Sequence, residues 1–135
     1  MDLTTALTIS ARGMDVEATR LRVVAENMAN QDTTANTPGG QPYRRKTITF
    51  ENKMDKALGA ETVRVKQIGR DQSAFTKRFD PSNPAADAQG YVQMPNVDPF
   101  VELMDMRDAE HIYATNLAVL QTTRTMLQRV INLLQ

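Results

Sequence analysis

The side chains best suited to chemistry lie close together near the C-terminal end: Asp105, Asp108, Glu110 and His111, the single histidine. Asp108 and His111 stand three residues apart, so on a helix a salt link is open to them, but a solvated helix histidine is the reading expected. Such a pair can shuttle a proton, and three carboxylates can hold a divalent cation. Neither reading goes further. A lone histidine cannot supply a multi-histidine metal site. The serines have no histidine partner in a recognisable frame. The chain has no cysteine, which removes disulfides, thiolate metal sites and thiol catalysis. Gly39-Gly40 lacks the lysine and spacing of a phosphate-cradling loop. Arg44-Arg45-Lys46 is a basic cluster on an expected strand, where three charges read as a solvated face. The acidic run reads as the early turns of a helix, where carboxylates complement the helix dipole. No catalytic, cofactor-binding or metal-ligating residue is expected, and no cofactor.

The totals point the same way. Among 135 residues, 16 basic and 16 acidic side chains cancel. Nucleic acid as main partner is disfavoured, because phosphate binding wants a basic surplus. Aromatics make up 5% and tryptophan is absent, while methionines number 8. That composition suits helix contacts more than a deep core. No run of 18 apolar residues exists, so the chain is not expected to span a membrane. Met1-Asp2-Leu3-Thr4-Thr5 has neither a basic nor an apolar leader segment, and no cleaved secretory signal is expected.

The elements divide the chain into 1–30, 31–93 and 94–135. Five of the 6 glycines and four of the 6 prolines fall in the middle segment, so both ends read as long helices. Leu3, Leu7, Ser10, Met14, Glu17, Leu21, Val24 and Met28 repeat at alternating intervals of four and three, a heptad seam. Asn30 is suited to terminate that helix in a left-handed C-terminal position. In the last segment Asp98 is an N-cap and Pro99 a first helical residue. A second seam then follows through Met106, Ala109, Tyr113, Asn116, Leu120, Thr123, Leu127, Val130 and Leu134. Leu103, Leu117 and Ile131 form a row beside it. The middle segment predicts short strands at 43–50 and 62–68, a helical turn at 54–58 and an extended loop over 71–90. The fold class expected is mainly α with a small β-containing middle, the long terminal helices paired as a coiled-coil-like hairpin.

Two stripes wider than a strict seam leave apolar surface uncovered even in a hairpin. Further burial is expected from other copies of the chain or from partners. Ser10, Glu17, Asn116 and Thr123 interrupt the seams with polar groups, which cost stability and set register or partner choice when buried.

These residues carry a family likeness. Ser10-Ala11-Arg12-Gly13-Met14, followed by Arg20 to Asn30 with Asn27, Ala29 and Asn30 in an Asn-x-Ala-Asn pattern, resembles the signature of flagellar rod and hook axial proteins. Pro42 to Lys46, Phe79 to Ala85, Gly90 to Asp98, Glu102 to Met106 and Tyr113 to Asn116 are similar to segments of the proximal-rod members. The likeness spans nearly the whole chain and is weakest over 51–75. It implies a non-enzymatic structural subunit that stacks helically into the rod and passes torque from rotor to hook. It implies other copies of itself, rod proteins of the FlgB, FlgF and FlgG types, and the hook–basal body protein FliE as partners. It further implies export without a cleaved signal through the flagellar type III apparatus, and residence in the periplasmic rod of the basal body. The subunit contacts expected are Leu3, Leu7, Ser10, Gly13, Met14, Leu21, Val24, Met28 and Asn30 on the first helix. On the second they are Met106, Tyr113, Asn116, Leu120, Leu127, Val130 and Leu134. Gly13 and Ser10 are small enough for close helix approach. The competing reading is a soluble coiled-coil adaptor or secretion chaperone, which keeps the seams and forgoes the likeness.

Overall fold

A computed structural model describes residues 2–134. Helix α1 (Leu3–Ala29) and helix α2 (Pro99–Leu133) flank four strands, β1 (Lys46–Asp55), β2 (Ala60–Arg70), β3 (Thr76–Phe79) and β4 (Tyr91–Met94). The strands form two separate two-stranded sheets, β1 with β2 and β3 with β4. The backbone divides into two compact units. The first holds α1 up to Leu21, Ile48–Gln67 and α2 from Met106 onward. The second holds Arg22–Thr47 and Ile68–Asp105.

Helix α2 begins as its sequence dictates. The Asp98 carboxylate accepts the backbone N–H of Phe100 at 2.9 Å, and Pro99 occupies the first helical position, where its missing donor costs nothing. Helix α1 ends differently from expectation. Asn30 is not left-handed, since positive φ among the described residues is confined to glycines. Instead its backbone N–H and its side-chain amide both donate to the Glu26 carbonyl, at 3.2 and 2.8 Å, closing the last turn on one acceptor.

The first unit contains most of the β1–β2 hairpin. Gly59, at φ 62°, supplies the left-handed turn residue, and its N–H donates to the Asp55 carbonyl at 2.9 Å. The helical turn expected over 54–58 is therefore this reversal, with Met54 and Asp55 still in strand. Val16 and Ala109 are buried in this unit, beside buried Ser10, Glu17, Thr62 and Thr123.

The second unit closes over a small apolar cluster of Ala85, Val92 and Met94, with Ala35 and Ala86 against it. The stretch expected as loop contains β3. It pairs antiparallel with β4, Thr76 opposite Met94 and Phe79 opposite Tyr91. Four exposed residues carry little strand signal alone. The strand exists because Val92 and Met94 of its partner are anchored inside. Phe79 and Tyr91 add an edge-to-face ring pair at 5.3 Å. Asp80 N–H donates to the Gly90 carbonyl at 2.9 Å, and Gly90 sits at φ 85° with the Phe79 ring over it, where a Cβ would meet that ring at 3.0 Å.

Candidate assembly site

In the second unit a polar junction ties the end of α1, the entry to β1 and the start of α2 together. Asn27 is 1% exposed and Glu102 is fully buried. Asn27 Nδ2 donates to Glu102 Oε2 at 3.1 Å and to the Lys46 carbonyl at 2.9 Å. Its Oδ1 accepts from the Tyr43 hydroxyl at 2.9 Å and from the Lys46 N–H at 2.8 Å. Two donors and two lone pairs are thus all used, the full capacity of a primary amide. The other Glu102 oxygen accepts from Arg45 Nε. That guanidinium also reaches Asp105 at 3.4 Å and Asp71 at 3.7 Å. Lys46 Nζ pairs with Glu26 at 2.6 Å.

Asn96 holds the strand side of the junction. Its Oδ1 accepts the Arg45 N–H at 2.8 Å, and its Nδ2 donates to the Asp71 carbonyl at 3.1 Å. Arg44 Nη1 donates to the same carbonyl at 2.9 Å, with its guanidinium 4.2 Å from the Phe75 ring centre. The basic cluster expected as a solvated face is instead a fastener. Each of its three side chains has its own partner: Arg44 the Asp71 carbonyl, Arg45 the buried Glu102, Lys46 the Glu26 carboxylate. The hydrogen bond from Lys46 to Glu26 lowers the Glu26 carboxyl below its ordinary range. Backbone donation from Ser73 lowers Asp71 in the same way, with Arg45 adding to it. Burial raises the Tyr43 phenol.

In the first unit the two helices lie side by side with opposite chain directions. Gly13 faces Asn116, and seven residues on, Arg20 Nη1 meets Asp108 Oδ2 at 2.9 Å. Asp108 therefore serves Arg20, and His111 is exposed, as expected of a solvated helix histidine. Glu17 is 7% exposed, and one of its oxygens has no hydrogen-bond donor. The nearest cation is Arg20, 3.6 Å away. Burial raises the Glu17 carboxyl above its ordinary value, with Arg20 opposing. Nearer the N-terminal end of α1, Leu7 and Ala11 share an open groove with Leu120 and Leu127, rimmed by Arg12, Asp15 and Arg124.

The seam residues divide by depth. Ser10 and Val24 are buried. Leu3, Leu7, Gly13, Met14, Leu21, Met28 and Asn30 are half-buried, as are Met106, Asn116, Leu120 and Leu127. Tyr113, Val130 and Leu134 are exposed. The neighbouring row, Leu103, Leu117 and Ile131, is also exposed, as are Val119, Met126 and Leu133 at seven-residue spacing. So α2 turns one stripe toward its own chain and leaves an exposed apolar row on either flank of it. Asn27 and Glu102 are the residues that seam counting passes over. Asn27 lies off the heptad positions, while Glu102 stands one heptad before Ala109, on the line of the second seam but ahead of its first member, Met106. The polar sequence around the Asn-x-Ala-Asn pattern signals the first, and a carboxylate on the line of an apolar seam signals the second.

A long helix with unpartnered apolar rows on its flanks, fixed by a saturated buried polar junction, is the design of a structural assembly subunit. Residues 88–133 match the family described as flagellar basal body rod FlgEFG protein C-terminal. Across 133 aligned residues the chain is 47% identical to the flagellar basal-body rod protein FlgC of Agrobacterium fabrum, covering 98% of this chain and 96% of that protein. It is 38% identical to the FlgC of Yersinia enterocolitica, with 98% of each chain covered. To the FlgC of Bacillus subtilis it is 34% identical, with 95% of each covered. The chain belongs to the FlgC family of flagellar basal-body rod proteins and is a structural subunit of the basal-body rod. Among the described residues no helix is long and apolar enough to cross a membrane.

Proposed function

We propose that this chain stacks helically in the proximal rod through its terminal helices and carries torque from rotor toward hook without catalysing a reaction. Residues 1–30 and 94–135 form the axial core, the two helices packing there in coiled-coil fashion. Residues 31–93 form an outer strand-bearing region. The observation that carries this reading is the solvent-exposed apolar surface on the two flanks of α2: Leu117 at 39% and Ile131 at 43% on one, Leu133 at 86% on the other. Exposed large apolar side chains in this number mark an interaction face. A heterologous contact that does not close generates a helical filament. Many helix contacts loaded in parallel resist shear, which is what a rotating shaft requires.

The neighbours in this reading are other copies of the chain, rod proteins of the FlgB, FlgF and FlgG types, and the hook–basal body protein FliE. Delivery is by the flagellar type III export apparatus without a cleaved signal, into the periplasmic part of the rod. The seam residues named above, from Leu3 to Asn30 and Met106 to Leu134, are the packing positions of this core. Those turned toward the chain's own other helix hold the helices together, and the exposed ones, Tyr113, Val130 and Leu134, join the outward rows in contacts between subunits.

The test is the double substitution Leu117→Asp with Ile131→Asp. Both side chains are already exposed, so the isolated chain should keep its stability to within about 0.5 kcal/mol each. Cells carrying it should export the protein but lack rods and not swim. Normal swimming with intact rods would sink the proposal.

A further inference from the structure

The tip of the β1–β2 hairpin carries a feature that helix stacking does not use. Within the first unit, Lys53, Lys56 and Arg64 of the hairpin and Arg12 of α1 converge on one cavity of about 360 Å³. Its floor includes Met54 and Val63. Arg64 is committed to Glu51, with Nε at 2.6 Å from the carboxylate. Arg12, Lys53 and Lys56 form no ion pair with any described residue. The single acid in the lining, Asp55, is engaged by its own turn, accepting the N–H of Ala57 at 3.0 Å and of Leu58 at 3.4 Å. Three unneutralised cations around one concavity repel one another, and an anion entering it relieves that repulsion.

We propose that this cavity receives an acidic segment of a different protein, two carboxylates flanking an apolar side chain. The cations meet the carboxylates, and Met54 and Val63 meet the apolar group. A second copy of the chain is a poor occupant. Its carboxylates that form neither ion pair nor hydrogen bond are Asp15, Glu61 and Glu110, one each on α1, β2 and α2. No two of them share an element, so none makes the required doublet. A bare phosphate has no use for the apolar floor.

The experiment is a titration of the full isotope-labelled chain, followed through its amide resonances. The probes are a synthetic hexapeptide, acetyl-Gly-Glu-Leu-Asp-Glu-Gly-amide, and the same peptide with Gln and Asn in place of its acids. Inorganic phosphate and unlabelled chain serve as competitors. The acidic peptide should move the amides of 53–56 and 62–64 and the neutral peptide should not. Affinity should fall roughly tenfold in the double variant Lys53→Gln with Lys56→Gln, two exposed positions whose change leaves the fold intact by circular dichroism. It should also fall on raising salt from about 50 to about 300 mM. Absence of shifts, equal binding of the neutral peptide, or unchanged binding in the double variant would overturn the proposal. Phosphate binding as tightly as the peptide would reduce the site to an adventitious ion only. Shifts of these same amides by unlabelled chain would assign the cavity to a second copy.

Discussion

Gly13 of α1 and Asn116 of α2 meet so closely that a Cβ at position 13 would stand 2.8 Å from Asn116 Nδ2 and 3.1 Å from its Cγ. The residue met is the far end of a side chain, which can rotate away. Two effects then oppose each other in Gly13→Ala. Alanine gains about 1 kcal/mol of helix propensity over glycine, and Asn116 loses its place. Gly13→Ala alone should therefore change stability by less than about 1 kcal/mol. In an Asn116→Ala background the same change should stabilise by about 1 kcal/mol. A double-mutant cycle in urea reads the difference, and additivity would mean the two residues do not touch.

Asn27→Ala should be among the most destabilising single changes in the second unit. It removes four hydrogen bonds at once and leaves the Tyr43 hydroxyl, the Lys46 backbone and one Glu102 oxygen short of partners. A fully buried group left unsatisfied costs about 1–3 kcal/mol. Only the Glu102 bond is fully buried; the other three are part-buried, where water can replace the partner, so a total loss of about 3 kcal/mol is expected. Glu102→Ala strands the Arg45 guanidinium beside a new cavity and should cost about 3–5 kcal/mol. Thermal unfolding followed by circular dichroism checks both. Arg107→Ala, at an exposed position of the same helix, is the control, expected within about 0.5 kcal/mol of the parent.

How far the sequence announced these features depends on the range of the interaction. Helix α2 was legible to the residue at its start, because Asp98 and Pro99 cap it locally. Both helices were legible from their three-four spacing. The first two strands were legible in place but short: 43–50 and 62–68 against Lys46–Asp55 and Ala60–Arg70. Hairpin pairing carried polar residues such as Glu51 and Lys53 into the ladder. Strand β3 was not legible, since its order comes from Val92 and Met94 across the sheet. The polar junction was hidden for the same reason: Asn27 and Glu102 are 75 residues apart. Read locally, Glu102 is only an acid in a first helical turn and Arg45 only a charge on a strand. What seam counting did expose was polar interruption, and Ser10, Glu17 and Thr123 are indeed buried.

Glu17 gives the chain a stability term of unusual sign. Its carboxyl titrates above its ordinary value because burial disfavours the charge. The folded state then holds the proton more tightly than the unfolded state, so the contribution of Glu17 to stability grows as pH falls through its raised pKa and declines as pH rises through it. At neutral pH the buried charge is a cost. Glu17→Gln should therefore stabilise the chain at pH 7 by about 1 kcal/mol, and the gain should vanish at acid pH. Glu26 and Asp71 run the other way. Both are lowered in the fold, so their stabilisation is present at neutral pH and lost as pH falls through their depressed values. Unfolding free energy measured against pH for parent and Glu17→Gln separates the two. Parallel curves would mean that Glu17 does not titrate with folding.

The inward stripe and an outward row of α2 should respond oppositely to a charge. Leu120 and Leu127 face the groove shared with Leu7 and Ala11, so an aspartate there is set against the chain's own α1. Leu127→Asp should lower the stability of the isolated chain by about 2 kcal/mol, the loss of a half-buried leucine plus a carboxylate placed in apolar surroundings. Val119 and Met126 lie on an outward row, 46% and 51% exposed, so an aspartate at either keeps its access to water. Val119→Asp with Met126→Asp should leave unfolding unchanged to within about 0.5 kcal/mol each while preventing incorporation into rods. Rods purified from cells expressing both parent and variant subunits should therefore contain only the parent. Equal incorporation of the outward variant would show that this row is not the contact between subunits. Equal stability of Leu127→Asp would show that the inward stripe does not hold the two helices together.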